Sequence, residues 1–172
     1  LSFRAYFARI TVSSDEILKD WRWLVGPSLE VWRVTTWGDA MLRDRDGSIH
    51  LLDLSEGVLL RIADSETELE RALERVELQD EWLRGSLVDR QARLGMIPGV
   101  DECLAYRVPP IFGAGFGPEN VEVRPIVPHF AFTGQVMQQV KALPPGARIS
   151  KQTVDGKDPG TLAPKRPWWR FW

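Results

Sequence analysis

Residues 29–62 are punctuated too often to hold a helix. Short apolar arms at 29–36, 40–42, 49–52 and 58–62 alternate with polar turns. Arg43-Asp44-Arg45-Asp46-Gly47 ends in Asp-Gly, which supplies the positive φ of a tight hairpin. Leu54-Ser55-Glu56-Gly57 is a second turn. Short strands joined by short turns predict an antiparallel meander. Several arms are apolar at consecutive positions, so the middle strands are expected to be covered on both faces.

The flanking segments supply the covers. Ser13-Ser14-Asp15-Glu16 reads as a helix start, with a serine cap and acids in the first turn. Ile17, Leu18, Trp21 and Leu24 then recur at helical spacing up to Gly26-Pro27. Asp64-Ser65 opens another helix through Leu69, Ala72, Leu73 and Val76. A further one over 78–94 carries Trp82, Leu83, Leu87 and Val88 and is ended by Gly95. Residues 98–107 are ambiguous, 111–120 form a glycine-rich loop, and 121–126 alternate like a strand. Pro128 suits the first position of a helix over 129–141 that Pro144-Pro145-Gly146 closes. The expected fold is therefore α+β, an antiparallel meander packed against several helices. One domain covers residues 1–149, and an irregular, basic, aromatic tail covers 150–172.

Length and composition narrow the function. A chain of 172 residues that is 44% hydrophobic and 27% charged can bury a core. A net charge of −2 excludes a globally electrostatic nucleic-acid binder. The charge is unevenly spread: residues 64–90 carry nine acids against four bases, and 141–172 carry seven bases against two acids. Such separation steers charged partners, or lets the tail lie on the acidic face. The single cysteine, Cys103, forbids an intramolecular disulfide and fits a reducing compartment. No stretch reaches the roughly 20 apolar residues of a membrane span, and no signal peptide is recognised, so a cytoplasmic location is expected. The start at Leu1 leaves an upstream segment open.

Motifs that would carry chemistry are weak. Asp44-x-Asp46-Gly47 has the core of a calcium loop. Leu42 stands where the first ligand belongs, and the flanks read as strands. Gly113-Ala114-Gly115-Phe116-Gly117 precedes Pro118 and a strand rather than a helix, which argues against a phosphate loop. His50 and His129 lie far apart in sequence, so neither metal nor cofactor is expected. A Cys103–His129 dyad is conceivable only if the fold brings the two together; the plainer reading of Cys103 is a small buried hydrophobe. In the tail, Trp168 and Trp169 with Phe171 and Trp172 among cations fit docking onto the domain or a partner, ahead of a membrane or nucleic acid.

Several motifs in order carry a resemblance. Trp37-Gly38-Asp39 leads through Asp46-Gly47 to Asp53, followed by Gly57 and Ala63-Asp64-Ser65. Later come Val108-Pro109-Pro110, Pro118-Glu119-Asn120, Phe132-Thr133-Gly134-Gln135 and Leu143-Pro144-Pro145-Gly146. This succession, over residues 18–149, resembles the immunity domain of bacterial type VI secretion systems, formerly a domain of unknown function. A looser kinship is to the superfamily of cell-wall-synthesis regulators and immunity proteins. The family's frequent additional N-terminal domain has no equivalent in this sequence, and the aromatic tail has no counterpart in the family pattern. The resemblance implies a non-catalytic protein that binds a co-encoded toxin of nuclease type and blocks it stoichiometrically, without touching nucleic acid. A nuclease site is basic because it holds phosphates, so carboxylates would meet it. The candidates are Asp44, Asp46 and Glu56 on turns and Glu66, Glu70, Glu74 and Glu77 on helices, with Trp168 and Trp169. Asp39 and Asp53 are read as turn caps. The alternative is a small-molecule-binding or regulatory module with a pocket near the glycine-rich loop.

Overall fold

The structure, a computed structural model, describes residues 3–109, 115 and 117–144. It is α+β. Strands β1 (Glu30–Val34), β2 (Ala40–Arg43), β3 (Ile49–Asp53) and β4 (Val58–Ala63) form an antiparallel sheet in chain order. The β2–β3 turn closes with Asp44 N–H donating to the Ser48 carbonyl at 2.9 Å and Gly47 at φ +89°. In the β3–β4 turn, Asp53 Oδ1 accepts from the N–H groups of Ser55 (2.9 Å) and Glu56 (3.0 Å). Gly57 there holds φ +60°. Register shifts between Val31 and Arg33, so Trp32 is the extra residue of a bulge in β1.

Both faces of the middle strands are covered. On β2, Ala40 and Leu42 enter one core while Met41 enters the other. The first face packs against α1 (Ser14–Leu18), a 3₁₀ turn at Lys19–Trp21, α2 (Arg22–Val25) and α6 (Ile126–Lys141). The single helix expected from residue 14 onward is thus interrupted. Tighter 3₁₀ winding changes the phase, so that Trp21 and Val25 are buried while Leu24 is only partly covered. Trp21 Nε1 donates to the Phe130 carbonyl at 3.0 Å, tying the turn to α6. At the start of α1, Ser13 Oγ accepts from Glu16 N–H and Glu16 Oε2 accepts from Ser13 N–H at 3.0 Å, a reciprocal cap. Ser13→Ala is expected to lower stability by about 1 kcal/mol in denaturant titration; an unchanged midpoint would mean the cap carries nothing.

The second face packs against α3 (Glu66–Ala72), α4 (Val76–Leu83) and α5 (Gly85–Arg93). Two expectations are corrected here. Val76 does not continue the apolar side of the first helix; it begins α4 and is 70% exposed. The helix expected over 78–94 breaks at Arg84, which adopts φ 50°, ψ 42°. Gly85 lies against the Tyr6 ring, 3.3 Å from where its Cβ would be, and Ser86 N–H donates to Asp80 Oδ1 at 2.7 Å. The chain is therefore redirected at this point rather than running on as one helix.

Residues 98–107 resolve as β5 (Glu102–Tyr106), which pairs antiparallel with β6 (Val121–Pro125). Leu104 N–H donates to the Thr36 carbonyl at 2.7 Å and joins this hairpin to the meander. The last helix begins at Ile126, so Pro128 is its third residue rather than its first. Its missing N–H falls within the first turn, where no intrahelical acceptor is available. No helix among the described residues is long and apolar enough to cross a membrane. The tail, with Trp168 and Trp169, and most of the glycine-rich loop lie outside the described residues.

Candidate functional site

The predicted acids do not share one face. Asp46 and Asp64 meet on Arg61, at 3.8 and 2.9 Å, which places the β2–β3 turn beside the start of α3. Ser65 caps that helix, and Glu68 accepts from Asp64 N–H at 2.7 Å. Asp44, Asp46 and Glu66 therefore belong to one end of the sheet. Glu70 follows one turn along α3 and pairs with Arg4 at 3.2 Å. Glu74 and Glu77 stand exposed at the α3–α4 corner, where Glu77 reaches Arg75 at 4.0 Å. Glu56 lies in the β3–β4 turn, at the opposite end, because successive turns of a meander alternate ends. Hydrogen bonds from Ser48 hold the Asp46 carboxyl below the usual carboxylate range.

At the Glu56 end lies a cleft with a cavity of about 40 Å³. Trp37, Tyr106, Phe132 and Met137 supply apolar walls, and Asp39, Arg124 and His129 bring polar groups to it. Pro109 borders it, so it lies where the glycine-rich loop departs. Asp39 is buried. Its Oδ1 accepts from Leu54 N–H at 2.9 Å, and its Oδ2 lies 3.7 Å from Arg84 Nε. Arg84 also reaches Asp53 Oδ2 at 3.1 Å. Burial, and then the charge of Asp53, pushes the Asp39 carboxyl up to about 7 against the pull of Arg84. Asp53 is thus a turn cap, as the sequence implies, whereas the Asp39 carboxyl reaches across to Leu54 rather than capping its own turn, and the two acids share one guanidinium. Arg124, buried in β6, pairs with Glu122 at 2.5 Å, and burial pushes it down to about 10.

Gly38, between the cleft residues Trp37 and Asp39, is closely enclosed. It holds φ +94°, and a Cβ there would stand 3.0 Å from His129 Nε2, 3.0 Å from the Leu104 carbonyl and 3.1 Å from Cys103 Sγ. Cys103 and His129 therefore do converge. Burial, then the Asp39 charge, pushes the Cys103 thiol well up, and burial pushes the His129 imidazole down to about 3. The pair consists of a protonated thiol and a neutral ring, the reverse of an activated thiolate–imidazolium. The calcium reading also has its acids engaged: Asp44 Oδ1 accepts from Arg45 N–H and Asp46 Oδ1 from Ser48 N–H. Among the described residues no three His, Cys, Asp or Glu side chains converge as metal ligands.

Sequence reasoning missed Arg84, Arg124 and the role of His129. Gly85-Ser86 within an apparent helix was the one local signal for the break that aims Arg84; nothing local marked the other two. No protein-family model matches the chain, and no curated protein matches it.

Proposed function

We propose that the chain is a non-catalytic protein-binding domain that neutralises a secreted bacterial toxin by occluding a basic active site. The observation that supports this best is the acidic face of α3 and the α3–α4 corner. Asp64, Glu66, Glu68, Glu74 and Glu77 are exposed there, with Glu70 half-buried, against only Arg71 and Arg75 in the same stretch. Asp46, joined through Arg61, extends the face onto the sheet. Carboxylates so placed speed association with a basic partner and fix its orientation. The ordered motifs from Trp37 to Gly146 support the toxin class by resemblance.

The residue-level test is charge reversal. Glu66→Lys, Glu74→Lys and Glu77→Lys together should slow association with the co-encoded toxin at least about tenfold at low salt, and less at high salt. Glu56→Lys, at the other end of the sheet, should leave the rate nearly unchanged. An unchanged rate for the triple variant would remove this face from the interface.

A further inference from the structure

The cleft holds one buried polar group that the fold does not use. His129 is 9% exposed and lines the cavity. Its carbonyl accepts from Thr133 Oγ1 at 2.8 Å, whereas its ring makes no hydrogen bond among the described residues. Burial pushes the imidazole down to about 3, so at neutral pH it is uncharged and offers one donor and one acceptor. The charges around the cleft, by contrast, are met. Arg84 lies 3.1 Å from Asp53 and 3.7 Å from Asp39, and burial keeps a proton on Asp39 up to about pH 7. Arg124 is met by Glu122 at 2.5 Å, and Glu122 also meets the exposed Arg107 at 3.4 Å. A charged ligand would therefore enter a mainly apolar cleft without a counter-ion. What the cleft lacks is a partner for an uncharged ring.

We propose that the cleft binds a small uncharged alcohol, with its hydroxyl hydrogen-bonded to the His129 ring and its alkyl part between Trp37, Phe132 and Met137. A hydroxyl both donates and accepts, and its hydrogen rotates, so it matches the ring nitrogen that faces the cavity in either tautomer. An amine or a carboxylate of the same size is ionised at neutral pH and has no counter-ion to meet. Size sets the ligand. About 10–15 Å³ admits one water-sized group, so a cavity of about 40 Å³ takes roughly three or four non-hydrogen atoms. A hydroxyl on a three-carbon chain fits that space. This binding is independent of the acidic face, and either can fail without the other.

The test is an NMR titration of the full chain with 1-propanol, read at the ring nitrogens of ¹⁵N-labelled histidine. The chain has two histidines, and His50, whose ring lies 3.2 Å from Ser48 Oγ, is the internal reference. The His129 ring signals should move saturably with Kd on the order of 10 mM, within the reach of four non-hydrogen atoms. A His129 ring unmoved at about ten times that concentration would mean that water alone serves it, and would overturn the proposal. Equal movement of His50 would mark a solvent effect and overturn it too. Propylammonium chloride and sodium propionate, referenced to sodium chloride at equal ionic strength, should not saturate in the same range. Equal or tighter binding of either ion would overturn the assignment to an uncharged ligand. His129→Leu should weaken 1-propanol about fivefold or more, read at the cleft's backbone amides, and an unchanged Kd would overturn the bond to the ring. If that variant does not fold, the ring signals and the two ions, all measured on the unaltered chain, decide the matter.

Discussion

Gly134→Ala is expected to destabilise the protein by about 3 kcal/mol, even though alanine is the better helix former by about 1 kcal/mol. Gly134 lies inside α6, where it meets the 3₁₀ turn of Lys19–Trp21. A Cβ there would stand 2.5 Å from the Asp20 carbonyl oxygen and 2.8 Å from its carbon. Both are backbone atoms, so no side-chain rotation relieves the overlap and the two elements must separate. Separation also strains two bonds across the same seam, Trp21 Nε1 to the Phe130 carbonyl and Gln135 Nε2 to Asp20 Oδ1, each 3.0 Å. Contact outweighs propensity. Gly26→Ala is the control: its φ of +68° strains alanine, but nothing lies within 4 Å. With ψ −171° it lies in a region essentially confined to glycine, so the cost there, about 1–3 kcal/mol, is purely backbone strain with no overlap. A denaturation midpoint for Gly134→Ala at or above the parent's would contradict the close seam.

The second large effect is a pair of opposed pH dependences that hide each other. Folded Asp39 keeps its proton up to about pH 7, whereas the unfolded chain releases it near 3.8. Stability from this group is therefore full below 3.8 and is lost as pH rises through 7, about 4 kcal/mol across the window. Folded His129 stays neutral down to about pH 3, whereas the unfolded chain takes up a proton near 6.5. That contribution is full above 6.5 and is lost as pH falls through 3, about 5 kcal/mol. Between pH 4 and 6.5 the two slopes cancel. Asp39→Asn should therefore give a stability that climbs with pH relative to the parent, by about 1.4 kcal/mol per pH unit. His129→Gln should give one that falls by the same amount. Chemical denaturation at half-unit intervals measures both; parallel profiles for all three proteins would show that neither group is held as the cleft implies.

The meander was legible because its signals are local. Asp46-Gly47 and Gly57 set positive φ where the turns need it, and Ser13 with Glu16 forms its cap within four residues. The consecutive apolar run at Ala40-Met41-Leu42 carried the information that the sheet is covered twice. The break at Arg84 was not legible in the same way. Apart from Gly85-Ser86 it carries no local mark, and it is accompanied by a long-range contact, Gly85 against Tyr6, that helical periodicity cannot encode. The cleft was less legible still, because Asp39, Arg124 and His129 come together only once Leu104 bonds to Thr36 and α6 packs across the sheet. The acids were found readily but not their grouping, since Glu56 and Asp46 look like neighbours until the strands between them are laid out.

Binding of a toxin by this chain is tested most directly by coexpression with the product of the adjacent gene, scored for cell survival and for a complex that survives purification. The proposed function predicts survival that depends on this chain, together with a stable stoichiometric complex that the triple reversal at Glu66, Glu74 and Glu77 weakens. A neighbouring product that kills the cells whether or not this chain is present, and that forms no complex with it, would contradict the proposed function.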